Sequence, residues 1–120
     1  MSPTVLIVDD HPTFRSFARE LLQSEGFDVV GEAADGASAL AAAGALRPEV
    51  VLLDVQLPDL SGFQVTERLR AEGVAAAVVL VSSRSASDYG DRIESSGASG
   101  FVPKAELSGD AVRSLLRGAA

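Results

Sequence analysis

The stretch Val5-Leu6-Ile7-Val8-Asp9-Asp10 runs four apolar residues straight into two acids, and Val50-Val51-Leu52-Leu53-Asp54 repeats the pattern with one. Apolar runs of this length, without polar alternation, read as parallel strands buried on both faces. In an open α/β sheet the ligand crevice lies outside the carboxyl ends of the strands. Two adjacent strands ending in aspartate therefore gather Asp9, Asp10 and Asp54 on one rim. Uncompensated, such carboxylates repel and raise one another's pKa. A rim of that kind calls for a hard divalent cation with oxygen ligands, and Mg²⁺ is the natural candidate. A third apolar stretch, Gly100-Phe101-Val102-Pro103, runs into Lys104, the single lysine of a chain whose other basic residues are all arginine. A lysine so isolated and so placed is more than surface decoration.

Outward from these strand ends, five strand-like segments alternate with helical ones, and no repeat, linker or low-complexity tract interrupts them. The first strand covers about Val5 to Asp9. Pro12 then stands near a helix start, where its missing N–H does no harm. Phe14, Phe17, Ala18, Leu21 and Leu22 follow at helical spacing, and Gly26 ends the helix. Phe27 to Ala34 reads as the second strand, and Ala37 to Leu46 as an alanine-rich helix stopped before Pro48. Glu49 to Asp54 is the third strand. After the loop Leu57-Pro58-Asp59-Leu60-Ser61-Gly62, a helix with Val65 and Leu69 runs to Gly73. Ala76 to Ser82 is the fourth strand. Ser85 to Ser96 is the weakest helical segment, with few apolar residues and Gly90 in its interior, at about 1 kcal/mol against alanine. Ser99 to Val102 is a short fifth strand, and a last helix spans about Glu106 to Arg117. Such alternation implies βαβ units and a parallel sheet with right-handed crossovers.

Composition narrows the function. A chain of 120 residues that is 47% hydrophobic is one globular domain with a real core. No apolar run approaches the roughly 20 residues that span a membrane, and Met1-Ser2-Pro3-Thr4 lacks the basic start of a signal peptide. With no cysteine there are no disulfides or thiolate metal sites, which suits a cytoplasmic location. A net charge of -7 argues against direct contact with nucleic acid.

With the strand ends in place, the chain resembles the receiver domain of two-component response regulators over essentially its whole length. The likeness rests on Val8-Asp9-Asp10-His11-Pro12, on Leu53-Asp54-Val55-Gln56-Leu57-Pro58-Asp59-Leu60-Ser61-Gly62, on Val81-Ser82-Ser83, and on Gly97-Ala98-Ser99-Gly100-Phe101-Val102-Pro103-Lys104. These stand in order, each at a strand end. The resemblance implies one receiver domain across residues 1–120, of α/β class: a flavodoxin-like doubly wound sheet of five parallel strands, order 2-1-3-4-5, with five helices. It implies Asp54 as phosphoryl acceptor from a sensor histidine kinase, and Mg²⁺ on Asp9, Asp10, Asp54 and the backbone carbonyl of Gln56. Lys104 and Ser82 would bind phosphoryl oxygens, with Ser82 favoured over Ser83 because it directly follows the apolar run. Phe101 takes the place of an aromatic that swings inward on activation; lacking a hydroxyl, it would switch by steric means. Gln56 and Arg84 fall at the two variable positions that tune hydrolysis. The protein would be no enzyme beyond assisting its own phosphorylation and dephosphorylation.

Other readings fit less well. A phosphatase with an aspartate nucleophile would want a second acid where Gln56 stands. A flavodoxin-like cofactor binder would need a phosphate-binding glycine loop and stacking aromatics, and the chain has one tyrosine and no tryptophan. A phosphate-independent scaffold would have no need to keep all five expected positions. His11, with no histidine partner, reads as a loop residue at a helix start. The output is open. Asp9-Asp10-His11-Pro12-Thr13-Phe14-Arg15 is similar to the start of regulators of the LuxR/NarL type, which carry a helix-turn-helix effector domain. The chain is then either a single-domain regulator acting on a downstream protein target or the receiver part of a DNA-binding transcription regulator. Homodimers through the first and last helices, or through the fourth-helix surface, are an assembly the resemblance allows.

Overall fold

The computed structural model describes residues 2–118. Five strands, β1 (Thr4–Val8), β2 (Asp28–Ala33), β3 (Val50–Asp54), β4 (Ala77–Ser82) and β5 (Gly100–Pro103), alternate with α1 (Pro12–Ser24), α2 (Gly36–Leu46), α3 (Gly62–Ala71), α4 (Arg92–Ser95) and α5 (Gly109–Gly118). All pairings are parallel, in the order β2-β1-β3-β4-β5. The expected topology is thus the observed one.

The apolar runs do what buried parallel strands must. Val5, Ile7, Val50, Leu52, Val79 and Val81 point into one core layer, where Ala18 and Leu22 of α1 and Val112 of α5 meet them. Their neighbours Leu6, Val8, Val51, Leu53, Val78 and Leu80 point into the other, beneath α2 and α3. Each strand thus fills both layers with successive residues, as a period of two requires. α1 buries Ala18 and Leu22, while Phe17 of the same apolar stripe stays 52% exposed.

Two helical expectations are corrected. The segment read as one helix from Ser85 to Ser96 is a 3-10 turn at Ala86–Asp88, a break, and the single turn of α4. Asp88 accepts a hydrogen bond from the Ser85 N–H (3.1 Å), closing the first turn on itself. Gly90 then adopts φ +58, in the left-handed region, and ends any continuous helix. The last helix begins at Gly109 and not at Glu106, because Lys104–Glu106 forms a 3-10 turn. Ser108 supplies the cap there, its Oγ accepting the Ala111 N–H at 3.0 Å.

Candidate functional site

The site lies at the carboxyl edge of the central strands. β1 delivers Asp9 and Asp10 just past its end, and β3 delivers Asp54 as its last residue. Asp9 is fully buried and Asp54 nearly so, whereas the Asp10 side chain is 37% exposed. Lys104 enters from the end of β5. Its Nζ stands 2.6 Å from Asp9 Oδ2 and 3.5 Å from Asp54 Oδ2, so one ammonium bridges the two buried carboxylates. The Phe14 ring of α1 lies 4.5 Å from the same nitrogen, a cation–π contact that holds the lysine in place.

Burial pushes the Asp54 carboxyl up from 3.8 to about 6, and the neighbouring Asp9 charge adds to the rise. Lys104 and the Gln56 N–H, 3.3 Å from Asp54 Oδ1, pull the other way without cancelling it. One cation for this many acids leaves the rim short of positive charge. Asp9 Oδ2 is buried and makes no hydrogen bond among the described residues; the Lys104 ammonium meets it as an ion pair. Buried polar atoms are ordinarily satisfied. A further cation at this rim would satisfy it, and Asp9, Asp10, His11 and Asp54 all bring a ligand atom within 4.8 Å of one another.

The loop after Asp54 is tightly built. Gln56 pairs with Ser61 in an isolated bridge, and the Gly62 N–H donates to the Val55 carbonyl at 2.7 Å. A Cβ on Gly62 would come within 2.6 Å of the Asp54 carbonyl oxygen, so only glycine allows α3 to start this close to the acceptor strand. Asp59 ties the loop's outer end to α2 by accepting the Gly36 and Ala37 N–H groups (2.7 and 2.9 Å). Those bonds hold its carboxyl below the usual range.

A cavity of about 330 Å³ opens in front of Asp54, with Asp10, Gln56, Ser83 and Lys104 among its walls. Ser82 is not among them. It is 1% exposed, and its Oγ accepts the Arg84 N–H (3.0 Å) and lies 2.7 Å from the Tyr89 hydroxyl. Phe101 is half-buried and packs on Tyr89, while the Gln56 and Arg84 side chains are exposed.

Sequence reasoning brings together Asp9, Asp10, Asp54 and Lys104 and places His11 at the helix start, but it misses the contacts of three neighbours. His11 stands at the N-cap position of α1 without a side-chain cap bond and turns Nδ1 toward Asp9 Oδ1 (2.9 Å) and Asp10 Oδ1 (3.1 Å). Its position directly after the two acids was the signal. Tyr89 and Phe14 carried none, because a turn must fold Tyr89 back onto Ser82 and α1 must pack Phe14 against Lys104 from the other end of the chain.

A doubly wound parallel sheet whose acidic rim is bridged by one lysine defines a receiver domain by its architecture. The response regulator receiver domain family matches residues 5–115, and the chain belongs to that family. Among curated relatives, the virulence-factor transcription regulator BvgA of Bordetella pertussis is 40% identical over 102 residues, 85% of this chain and 49% of BvgA. The DNA-binding transcriptional activator EvgA of Escherichia coli K12 is 35% identical over 101 residues, 84% of this chain and 50% of EvgA. The chain thus spans about half the length of these relatives. Among solved structures, the signal receiver domain of NarL from Mycobacterium tuberculosis superposes with a TM-score of 0.86 at 35% identity, covering 98% of this chain and 96% of that one. A LuxR-family response regulator from Aurantimonas gives 0.89 at 31% identity, covering 98% and 87%. Among the described residues no helix is long and apolar enough to cross a membrane.

Proposed function

We propose that this receiver, spanning residues 1–120, is a phosphorylation-controlled switch whose acceptor is Asp54. The observation that carries the reading is the placement of Asp54 at the end of the central strand, beside Asp9 and Asp10 and 3.5 Å from the Lys104 ammonium that also meets Asp9. In the reaction, an Asp54 carboxylate oxygen attacks the phosphorus of a phosphohistidine on a sensor kinase. The P–N bond breaks, the imidazole nitrogen keeps the electron pair, and an acyl phosphate forms on Asp54. Transfer of this kind rests on positioning and charge neutralisation more than on covalent chemistry.

Asp9, Asp10, Asp54 and the Gln56 carbonyl would hold Mg²⁺, and the unsatisfied Asp9 oxygen fits a cation there. When bound, the metal supplies positive charge to the phosphoryl oxygens. Lys104 supplies the rest through its ammonium, and Ser82 donates its hydroxyl to another phosphoryl oxygen. Gln56 and Arg84, exposed on either side, set how readily water reaches the acyl phosphate. The added charge, about -1.5 to -2, biases the α4–β5–α5 surface between two arrangements, with Phe101 moving sterically.

The relatives support a reading of the output. EvgA is a DNA-binding activator twice as long as the stretch it shares with this chain. The same arrangement here would be a receiver fused to a DNA-binding effector in the cytoplasm, with homodimers as its working form and no nucleic-acid contact by the receiver itself. The test is intact mass after incubation with phosphoramidate, with and without Mg²⁺, for the wild type and Asp54→Asn. A Mg²⁺-dependent gain of one phosphoryl group, lost in the variant, is expected. No adduct on the wild type would leave a phosphate-independent scaffold.

A further inference from the structure

The one tyrosine of the chain sits on Ser82, the residue proposed above to reach the phosphoryl group. Ser82 ends β4, where strand parity turns it toward the core layer beneath α2 and α3, the layer that also holds Phe63, Tyr89 and Phe101. Its Oγ lies 2.7 Å from the Tyr89 hydroxyl and is absent from the walls of the cavity before Asp54, which Ser83 lines instead. The Tyr89 ring is itself wedged between Phe63 (centroids 5.6 Å apart) and Phe101 (5.8 Å). Arg92 of α4 stacks on the same cluster, 4.4 Å from the Phe63 ring. No side chain of the 3-10 turn or of α4 is buried, so the Tyr89 ring is a main anchor of the segment.

We propose that Tyr89 is a positioning residue that holds the Ser82 hydroxyl away from the acceptor, supplying the hydroxyl that Phe101 lacks. The inference rests on Asp54 being the phosphoacceptor. Whichever of the two hydroxyls donates, the 2.7 Å contact fixes the Ser82 rotamer. Turning Oγ into the cavity breaks it. Arrival of a phosphoryl group, with three strong acceptor oxygens, offers the serine a charge-assisted partner in place of a neutral one. Ser82 then leaves Tyr89, and the ring loses the bond that seats it between Phe63 and Phe101. Phe101 and the α4 segment are thereby freed together, so the signal passes from Asp54 through Ser82 and Tyr89 to the α4 surface.

Because the chain has one tyrosine and no tryptophan, tyrosine emission reports Tyr89 alone. The experiment measures acrylamide quenching of that emission in the wild type and in Ser82→Ala, before and after addition of Mg²⁺ and beryllofluoride. Beryllofluoride affinity of Tyr89→Phe is measured beside it, read by change in melting temperature. Quenching should rise about twofold on addition in the wild type, and start high and stay unchanged in Ser82→Ala. Tyr89→Phe keeps the ring and loses only the restraint, so it should bind beryllofluoride about fivefold more tightly, the worth of one neutral hydrogen bond. If phosphoramidate labels Asp54 by mass while wild-type quenching stays constant and Tyr89→Phe binds as the wild type does, Tyr89 is only a packing residue and the inference is overturned. If Asp54 takes no phosphoryl group at all, the acceptor reading falls and this inference falls with it.

Discussion

At the scale of single residues, the site holds a conflict between buried charges that substitution can release. Asp54 is raised from 3.8 to about 6, so the folded protein holds a proton there that the unfolded chain gives up at lower pH. A raised carboxylate works against folding once it ionises: the Asp54 contribution to stability falls as pH climbs from about 4 through 6, then levels off. The full span corresponds to about 3 kcal/mol. Asp54→Asn removes the titrating charge and keeps the shape, so it should be more stable than the wild type by about 2–3 kcal/mol at pH 7 in EDTA. That gain should shrink toward zero near pH 4. Urea titrations at the two pH values decide it, and an equal gain at both would mean that burial of the charge is not the cause. Gly62 makes a second, purely steric case. A methyl there meets the Asp54 carbonyl oxygen at 2.6 Å and the Val55 Cα at 2.9 Å, both backbone atoms that cannot swing aside. Gly62→Ala should cost about 1–3 kcal/mol of stability. It should also weaken divalent-cation binding, because relief of the clash displaces Asp54 itself; calorimetric titration with Mg²⁺ reads that effect.

Among the elements, the segment between β4 and β5 behaves unlike the rest. Composition shows its weakness, since only Tyr89 and Ile93 are sizeable apolar residues between Ser85 and Ser96. What composition does not show is the sign of a change at Gly90. In a continuous helix, alanine there would be stabilising by about 1 kcal/mol. At the observed φ of +58, with open space where a Cβ would go, the only consequence is left-handed strain. Gly90→Ala should therefore destabilise by about 1 kcal/mol, and a stabilised variant by thermal melting would restore the continuous helix. Hydrogen exchange offers an independent check. Amides of residues 85–96 should exchange orders of magnitude faster than those of β3 and β4, whose side chains are almost entirely buried. Protection as strong as in the central strands would contradict this view of the segment.

For the molecule as a whole, topology and rim were legible because both depend on where apolar runs stop. Val5–Val8 and Val50–Leu53 announce strands covered on both faces, and the residues that end them fall on one edge of the sheet whatever the loops do. Contacts that depend on how loops fold back were not legible. Asp59 on the start of α2 and Tyr89 on Ser82 join groups whose approach is set by turn geometry and helix packing, not by local pattern. The acids themselves come from the ends of β1 and β3, so the unfolded chain cannot present them as a site, and a cation bound there stabilises only the native state. Its effect should follow mass action, reaching about 2.7 kcal/mol at a concentration one hundred times the dissociation constant. For a domain of this size that is a rise in melting temperature of roughly 10 °C. Because the chain carries a net charge of -7, plain screening would also raise stability, so the comparison must be made with NaCl at matched ionic strength. Asp10 separates the two effects, being the most exposed acid of the cluster and free of the Lys104 ion pair. Asp10→Asn should fold normally and lose most of the Mg²⁺-specific rise while keeping the part that NaCl reproduces. An undiminished Mg²⁺ shift in that variant would place the cation elsewhere on the acidic surface.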